Sequence, residues 1–158
     1  MFENFLIRPD SLHNDEQNGE VIGFSLAVRN ANYRGVFLSL HNGYYLAVDG
    51  DEYPTRVQSF EINGQPPRSF DDIRKAVWEH WDYDDEGLLH VRKPGGLPPG
   101  EHHVRLQQSV LAAYGYLPTD EEWVRNPPAP GSGAGSDKTP DIVTYTLTLS
   151  GTEQVAWA

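Results

Sequence analysis

The sequence has no cysteine among its 158 residues. Disulfide bonds, thiolate nucleophiles and thiolate metal sites are therefore excluded, and the composition suits a reducing compartment. Basic residues are also scarce, because 12 lysines and arginines face 23 aspartates and glutamates, which gives a formal net charge of -11. This charge repels polyanions, so we expect neither a nucleic-acid partner nor binding to an anionic membrane.

Long apolar runs and targeting signals are missing as well. No stretch approaches the roughly 20 apolar residues that a transmembrane helix needs. The first ten residues lack a basic segment followed by an apolar one, so we expect no secretory signal and a cytoplasmic location. The sequence also has no glycine-rich phosphate loop of the Walker type and no Gly-x-Ser-x-Gly elbow, so neither motif supplies a catalytic site.

Short segments in which apolar and polar residues alternate recur along the chain. The clearest is residues 22–28, where Ile22, Phe24, Leu26 and Val28 take every second position, as in a half-buried strand. The proline- and glycine-rich turn at residues 93–100 (KPGGLPPG) predicts the start of a long strand from His102 to Tyr116. Further strands are predicted around residues 44–48, 60–62, 89–91 and 143–149, with hairpin turns at Asp49-Gly50 and Asn63-Gly64.

The remaining local signals are weaker. Residues 69–72 (SFDD) resemble a capping box and predict one short helix that runs to Val77. Residues 2–8 predict a short first strand, residues 14–19 carry turn chemistry, and the last residues to Ala158 are expected to fray.

About eight short strands with one helix predict an all-β fold, an antiparallel β-sandwich with long loops and at most one short helix. We expect a sandwich core at residues 1–118 and a loop rich in proline, glycine and serine at 119–140. An added strand at 141–150 and a tail at 151–158 would follow. The loop is longer than an ordinary connection, so it is either functional or a tether.

Aromatic side chains on predicted loops are the first candidates for a binding surface. Trp78, Trp81 and Trp123 lie outside the clear strands, and such rings stack on sugars or flat aglycones and anchor protein interfaces. About half of such residues only pack beneath their own loops. Tyr33 and Arg34 follow the strongest strand, where Arg34 is either a donor to a partner carboxylate or the partner of a local acid.

Histidines and carboxylates give no catalytic cluster that the sequence can identify. His102 and His103 are adjacent, but neighbouring residues of a strand point to opposite faces and do not share one metal ion. His80 stands among the acids of residues 79–86, where a charged surface loop is the simpler interpretation. These acids lie on one loop, which does not enforce the separation that glycosidase carboxylates need. We therefore predict no catalytic residue and no metal ligand in this chain.

An ordered set of short segments resembles the small β subunit of bacterial C-glycoside deglycosidases. The resemblance runs from residue 1 to about residue 118, and no single segment carries it alone. The segments are residues 5–14 (FLIRPDSLHN), 19–24 (GEVIGF), 33–35 (YRG), 38–39 (LS), 48–50 (VDG), 91–101 (VRKPGGLPPGE) and 116–118 (YLP). The chain departs from the family pattern in its acidic, tryptophan-rich loop at 78–86 and in its extension beyond residue 118.

The resemblance implies a noncatalytic β subunit that assembles with a larger TIM-barrel α subunit. In the family the α subunit carries a divalent metal, commonly manganese, and a histidine base, so no cofactor is expected on this chain. The substrate is a 3-oxo-C-glycoside, such as that of a flavonoid, whose carbon-carbon bond to an aromatic aglycone breaks by β-elimination. Tyr33 and Arg34 would anchor the subunit contact, and Trp78, Trp81 and Trp123 would lie at the contact or at the substrate pocket.

Two other functions stay open from the residues themselves. One is a stand-alone carbohydrate-binding β-sandwich module that uses the same loop aromatics. The other, which we rank last, is a self-sufficient hydrolase that uses the acidic loop. Binding of plain sugars by the isolated chain would favour the first, and activity of the isolated chain would favour the second.

Overall fold

The computed structural model of the protein describes residues 6–30, 35–82, 84–111, 124–131 and 142–155. Among these residues are twelve strands, one α-helix and two 3-10 helices, at Leu38–Leu40 and Thr55–Val57, and residues 124–125 are also helical. The strands are β1 (His13–Gln17), β2 (Glu20–Arg29), β3 (Val36–Phe37), β4 (His41–Val48), β5 (Asp51–Glu52), β6 (Gln58–Glu61), β7 (Arg68–Ser69), β8 (His80–Trp81), β9 (Glu86–Arg92), β10 (Glu101–Val110), β11 (Val143–Thr148) and β12 (Thr152–Gln154), and the helix is α1 (Phe70–Ile73).

The strands form two main sheets and one small ribbon. A six-stranded sheet has the order β12-β1-β2-β9-β6-β7, a four-stranded sheet has the order β11-β10-β4-β5, and β3 pairs with β8. All pairs are antiparallel except that of β1 with β12. The predicted all-β sandwich is therefore confirmed. None of the helices in the described ranges is long and apolar enough to cross a bilayer.

The core lies between the two main sheets because every second residue of their central strands is apolar. Phe24, Leu26 and Val28 of β2 are fully buried, as the alternation predicted. Their counterparts across the core come from β4 and β10, whose buried residues are Tyr44, Leu46, Val48, Val104 and Leu106.

The hydrogen bonds of Gln58 join the two sheets at one point. Its side-chain amide donates to the carbonyl of Tyr44 at 2.9 Å and to that of Tyr53 at 2.8 Å, and its carbonyl oxygen accepts from the Tyr44 amide. One buried side chain of β6 thus satisfies backbone groups of Tyr44 on β4 and of Tyr53 after β5.

Most predicted turns and strands agree with the structure. The Asp49-Gly50 turn joins β4 to β5 with positive φ angles of 51° and 89°, as a tight hairpin requires. Asn63-Gly64 likewise has positive φ angles and lies between the paired strands β6 and β7. The strand after the proline-glycine turn is β10, and residues 112–116 of the predicted strand lie outside the described residues.

The turn predicted at residues 14–19 is wrong in its first half, because β1 occupies His13–Gln17. Its sequence, HNDEQ, has no apolar alternation, so period-two analysis had no signal there. Inward-facing Asn14 exchanges two hydrogen bonds with the backbone of Leu97, at 3.0 and 2.9 Å, and so fixes the proline-glycine turn to the sheet. Of the first strand predicted at 2–8, residues 2–5 lie outside the described residues, and Ile7 forms an isolated bridge to Val28.

The predicted helix begins where expected but is shorter. Ser69 caps it by accepting a hydrogen bond from the Asp72 amide at 3.2 Å, and Phe70 and Ile73 bury its inner face. It ends at Ile73 instead of continuing to Val77, because Val77 is exposed and offers no further apolar side chain to the core.

The end of the chain contributes one strand to each main sheet. β11 pairs with β10, and β12 pairs with β1. Between them the Ser150 amide donates to Leu12 at 2.7 Å, and the Asn14 amide donates to Gly151 at 2.8 Å. The tail predicted at residues 151–158 contains a strand, since the edge of β1 offers unpaired backbone groups to β12, and residues 156–158 lie outside the described residues.

Candidate functional site

Three exposed apolar residues lie on or beside the ribbon of β3 and β8. Trp78 is 93% exposed, and Phe37 and Val77 are each 53% exposed. We call these three residues the Trp patch. Phe37 lies on β3, and Val77 and Trp78 lie on the turn that leads into β8. An indole exposed to this degree is unusual on a protein that acts alone and is typical of a contact with a partner or a ligand.

The turn that carries Trp78 is held in place by its neighbour Glu79. Both carboxylate oxygens of Glu79 accept from the guanidinium of Arg68, at 2.6 and 3.0 Å, and Asn63 donates a further bond at 3.2 Å. The carbonyl of Glu79 accepts from the Leu38 amide at 2.8 Å. The hydrogen bonds of Arg68 and Asn63 hold the pKa of Glu79 below its usual value. A partner would therefore meet Trp78 on a preorganised turn, which lowers the entropic cost of binding.

Trp81 has the opposite environment from Trp78. It is 0% exposed, belongs to the core, and donates from its indole nitrogen to the carbonyl of Asp85 at 2.8 Å. Trp81 thus has no surface to offer a partner or a ligand. Its neighbour His80 is on the solvent side of β8, where its ring bonds to Asp82 at 2.6 Å and packs edge-on against Phe37.

Three of the five predicted site residues, Tyr33, Arg34 and Trp123, lie outside the described residues. Gly35, which follows Arg34 and is described, has a positive φ of +72°. A Cβ at Gly35 would lie 2.6 Å from both the His80 ring and the Trp81 carbonyl, so only glycine fits there.

A second site, which sequence analysis missed, lies on the outer face of the six-stranded sheet. His13 and Asp15 come from β1, Ser25 from β2, Glu61 from β6 and His90 from β9. We call these five residues the histidine cluster. The register aligns His13 with Ser25 and Ser25 with His90, so the three side chains stand side by side across neighbouring strands.

Asp15 is the centre of the histidine cluster and is 0% exposed. Its carboxylate accepts from the Ser25 hydroxyl and, at 2.8 Å, from Nδ1 of His90. Nε2 of His13 lies 3.4 Å from the same carboxylate. Burial alone would raise the pKa of Asp15, but the hydrogen bonds from the two histidines outweigh it and hold the pKa at about 2.

The two histidines have different hydrogen-bonding arrangements. His90 contacts a carboxylate with each nitrogen, because its Nε2 lies 2.7 Å from Glu61. His13 donates from Nδ1 to the carbonyl of Ser11 at 2.8 Å. Burial lowers the pKa of His13, but its hydrogen bonds with Asp15 and the Ser11 carbonyl and the negative charges of Glu153 and Asp15 together raise the pKa above 6.5.

The cluster opens on a cavity of about 420 Å³ whose rim includes Glu61 and Glu153. The arrangement is suited to holding protons between histidines and carboxylates. Ser25 is not placed to act as a nucleophile, since it is fully buried and its hydroxyl donates to Asp15. Nowhere in the described ranges do three or more histidine, aspartate or glutamate side chains form a group that could hold a metal ion.

The predicted opposite orientation of His102 and His103 is confirmed. His102 is buried and bonds to Asp49 at 2.6 Å and to the Pro98 carbonyl at 2.7 Å, whereas His103 is exposed. Burial opposes protonation of His102, but the hydrogen bond to Asp49 raises its pKa. The bonds of the His102 ring and the His103 amide to Asp49 thus fix the Asp49-Gly50 turn to β10.

Comparison with known proteins gives two findings. The family described as "C-glycoside deglycosidase beta subunit" matches residues 2–114. A protein of Eubacterium cellulosolvens named "C-glycoside deglycosidase beta subunit" is 33% identical over 97 residues, which are 61% of this chain. The aligned segment spans 65% of that relative's length, a little under two thirds.

Proposed function

The chain belongs to the C-glycoside deglycosidase beta subunit family, and on that premise we propose that it is the noncatalytic subunit of a heteromeric C-glycoside deglycosidase. In this proposal it assembles with a larger TIM-barrel α subunit and covers the aglycone side of that subunit's pocket. The complex would act in the cytoplasm as a carbon-carbon lyase.

The Trp patch is the observation that supports this proposal most directly. A subunit needs an apolar contact surface, and Trp78 stands fully in solvent on a turn that four hydrogen bonds hold. Buried tryptophans at the centre of an interface are among the residues that contribute most to binding. Tyr33, Arg34 and Trp123 remain proposed contacts on sequence grounds, and Trp81 would support the patch from the core beneath it.

The proposed reaction removes the proton on C2 of a 3-oxo-C-glycoside, which the C3 carbonyl makes acidic. The carbon-carbon bond at C1 then breaks, and its electron pair leaves with the aromatic aglycone, which takes up a proton. We assign these steps, and the divalent metal of the family, to the α subunit. The described residues of this chain do not fit a metal site, and none of them is assigned a step.

We predict that Trp78→Ala weakens assembly with the α subunit by about 2 kcal/mol or more, which is roughly 30-fold in Kd. The reason is the loss of a large apolar side chain from the centre of the contact. Purified variants are titrated against the α subunit by calorimetry, and cleavage of the 3-oxo-C-glycoside is followed in parallel.

Ile142→Ala is the matched control, because Ile142 is also an exposed apolar residue, at 40%, but precedes β11 on the four-stranded sheet. This variant should bind the α subunit like the wild type. The thermal midpoint of isolated Trp78→Ala should also stay unchanged, since the side chain touches little of its own chain. An unchanged Kd for Trp78→Ala would remove the Trp patch from the contact, and full activity of the chain alone would overturn the proposed function.

A stand-alone carbohydrate-binding module is the second candidate, and the exposed indole of Trp78 favours it too, since indoles stack on sugar rings. Calorimetry of the isolated chain with plain mono- and disaccharides separates the two candidates. Saturable binding that Trp78→Ala abolishes would support the module, and its absence supports the subunit.

A further inference from the structure

Basic charge is concentrated at one place on this acidic chain. Three arginines, Arg56, Arg68 and Arg92, line a single cavity of about 290 Å³ beside β6 and β7. They are a quarter of the 12 basic residues, on a chain whose net charge is -11. We call this cavity the arginine pocket. Asp72, Ser59 and Ser69 also line it.

The three arginines converge from separate parts of the fold. Arg56 comes from the 3-10 helix after β5, Arg68 from β7, and Arg92 from the end of β9. Such convergence needs tertiary structure, because these positions are 12 or more residues apart in the chain. Three guanidinium groups at one cavity concentrate positive charge there, although Glu79 offsets part of the charge of Arg68.

Arg68 has one hydrogen-bond donor without a partner among the described residues. Its two terminal nitrogens are held by Glu79, whereas its Nε is buried and has no hydrogen-bond partner among the described residues. A buried donor without an acceptor costs about 1–3 kcal/mol. Among the described residues Asp72 is paired with Lys75 at 3.6 Å, so the carboxylate of the lining is already partly neutralised.

We propose that the arginine pocket binds a small oxyanion, a phosphate or a carboxylate. Planar guanidinium groups recognise these anions through paired, charge-assisted hydrogen bonds, and serine hydroxyls add neutral donors. The pocket is independent of the histidine cluster, and the proposal does not depend on the function proposed above. Because Arg68 also clamps Glu79 beside Trp78, an anion in the pocket lies one side chain away from the Trp patch.

The test titrates inorganic phosphate and acetate, separately, into the full chain at constant ionic strength in chloride. Saturable binding by calorimetry with a Kd near or below about 10 mM is expected for at least one probe. Arg56→Gln should weaken it at least about tenfold, because it removes one charge-assisted contact. Binding of phosphate alone identifies free phosphate as the ligand type, binding of acetate alone identifies a carboxylate, and binding of both identifies a site for small oxyanions in general.

Arg105→Gln is the matched control, since Arg105 lies on β10 of the other sheet over the Tyr45 ring. It removes the same charge from the chain but should leave anion binding unchanged. Arg56 is exposed, so its substitution does not threaten folding. The absence of saturation with both probes, or equal affinities for wild type and Arg56→Gln, would overturn the proposal.

Discussion

Asp15→Ala is expected to lose about 3–5 kcal/mol of unfolding free energy, which is a large part of the stability of an ordinary domain. The variant leaves His13, His90 and the Ser25 hydroxyl without the buried carboxylate that accepts their hydrogen bonds. Urea unfolding at neutral pH, followed by tryptophan fluorescence, measures the loss.

Asp10→Ala is the matched control because Asp10 is an exposed aspartate that pairs with Arg8 at 3.1 Å on the surface. An exposed pair of this kind contributes about 0–1 kcal/mol. Should Asp15→Ala fail to fold, Asp15→Asn keeps the shape and some hydrogen bonds and should still be much less stable than the control. Equal stability of the Asp15 and Asp10 variants would show that the histidine cluster contributes nothing to folding.

The pKa of Asp15 also predicts the pH range in which its contribution to the unfolding free energy disappears. The folded pKa of about 2 lies below the ordinary value of 3.8, so the stabilisation is complete above pH 3.8 and is lost as the pH falls towards 2. The loss amounts to about 2 kcal/mol at 1.36 kcal/mol per unit. Wild type should show this acid-dependent loss, and the folded Asp15→Asn variant should not.

His41→Leu should remove a second acid sensitivity of the fold, which sets in at a higher pH than that of Asp15. His41 is fully buried among the rings of Tyr44, Phe60, Phe70 and Trp81, and neither ring nitrogen has a hydrogen-bond partner among the described residues. Burial lowers the pKa of His41 from 6.5 to about 3. The unfolded chain therefore takes up a proton that the folded chain rejects, and stability falls as the pH drops from 6.5 towards 3.

At pH 4.5 the expected loss from His41 is about 3 kcal/mol relative to pH 7, at 1.36 kcal/mol per pH unit. Urea unfolding of wild type and His41→Leu at both pH values measures it, and the variant should lack this part of the difference. At pH 7 the two proteins should have similar stability, since leucine replaces a ring whose polar atoms are unpaired.

Phe70→Leu is the control for this experiment, because its ring also packs against His41 but does not titrate. It should lower stability by the same amount at both pH values. If wild type and His41→Leu lose equal free energy between pH 7 and 4.5, His41 is not the source of the acid sensitivity.

Short sequence patterns predicted the elements whose structure is caused by residues close together in the chain. The alternation of Phe24, Leu26 and Val28 places three apolar side chains on one face, which is what buries β2. Asp49-Gly50 adopts positive φ angles that few other dipeptides tolerate, and Ser69 caps α1 with its own hydroxyl. Each of these causes acts within a few residues, so a sequence reveals it.

The histidine cluster could not be predicted because its cause is not local. Asp15 and His90 are 75 positions apart and meet only after β1, β2 and β9 have aligned. The strand that carries Asp15 has no apolar alternation, since its outward side chains are buried by polar contacts. A polar strand of this kind has the same composition as a turn, and for that reason the sequence predicts a turn at residues 14–17.

Trp78 and Trp81 are close in sequence, but only the tertiary structure distinguishes their environments. Both residues belong to the segment that the sequence predicts as an acidic loop, and both are reasonable candidates for a contact on sequence grounds. The pairing of β3 with β8 turns Trp81 into the core and leaves Trp78 in solvent. Exposure is a property of the folded surface, so composition did not separate them.

The sequence by itself determined the all-β class, the main strands, the acidic character and the family, because these depend on composition, on short periodic patterns and on ordered segments. Tertiary structure alone decided which tryptophan is exposed, which histidines meet Asp15 and where three arginines line one pocket. These features arise from contacts between residues that are distant in the chain. Such contacts form, and stabilise the fold, only when the strands have paired.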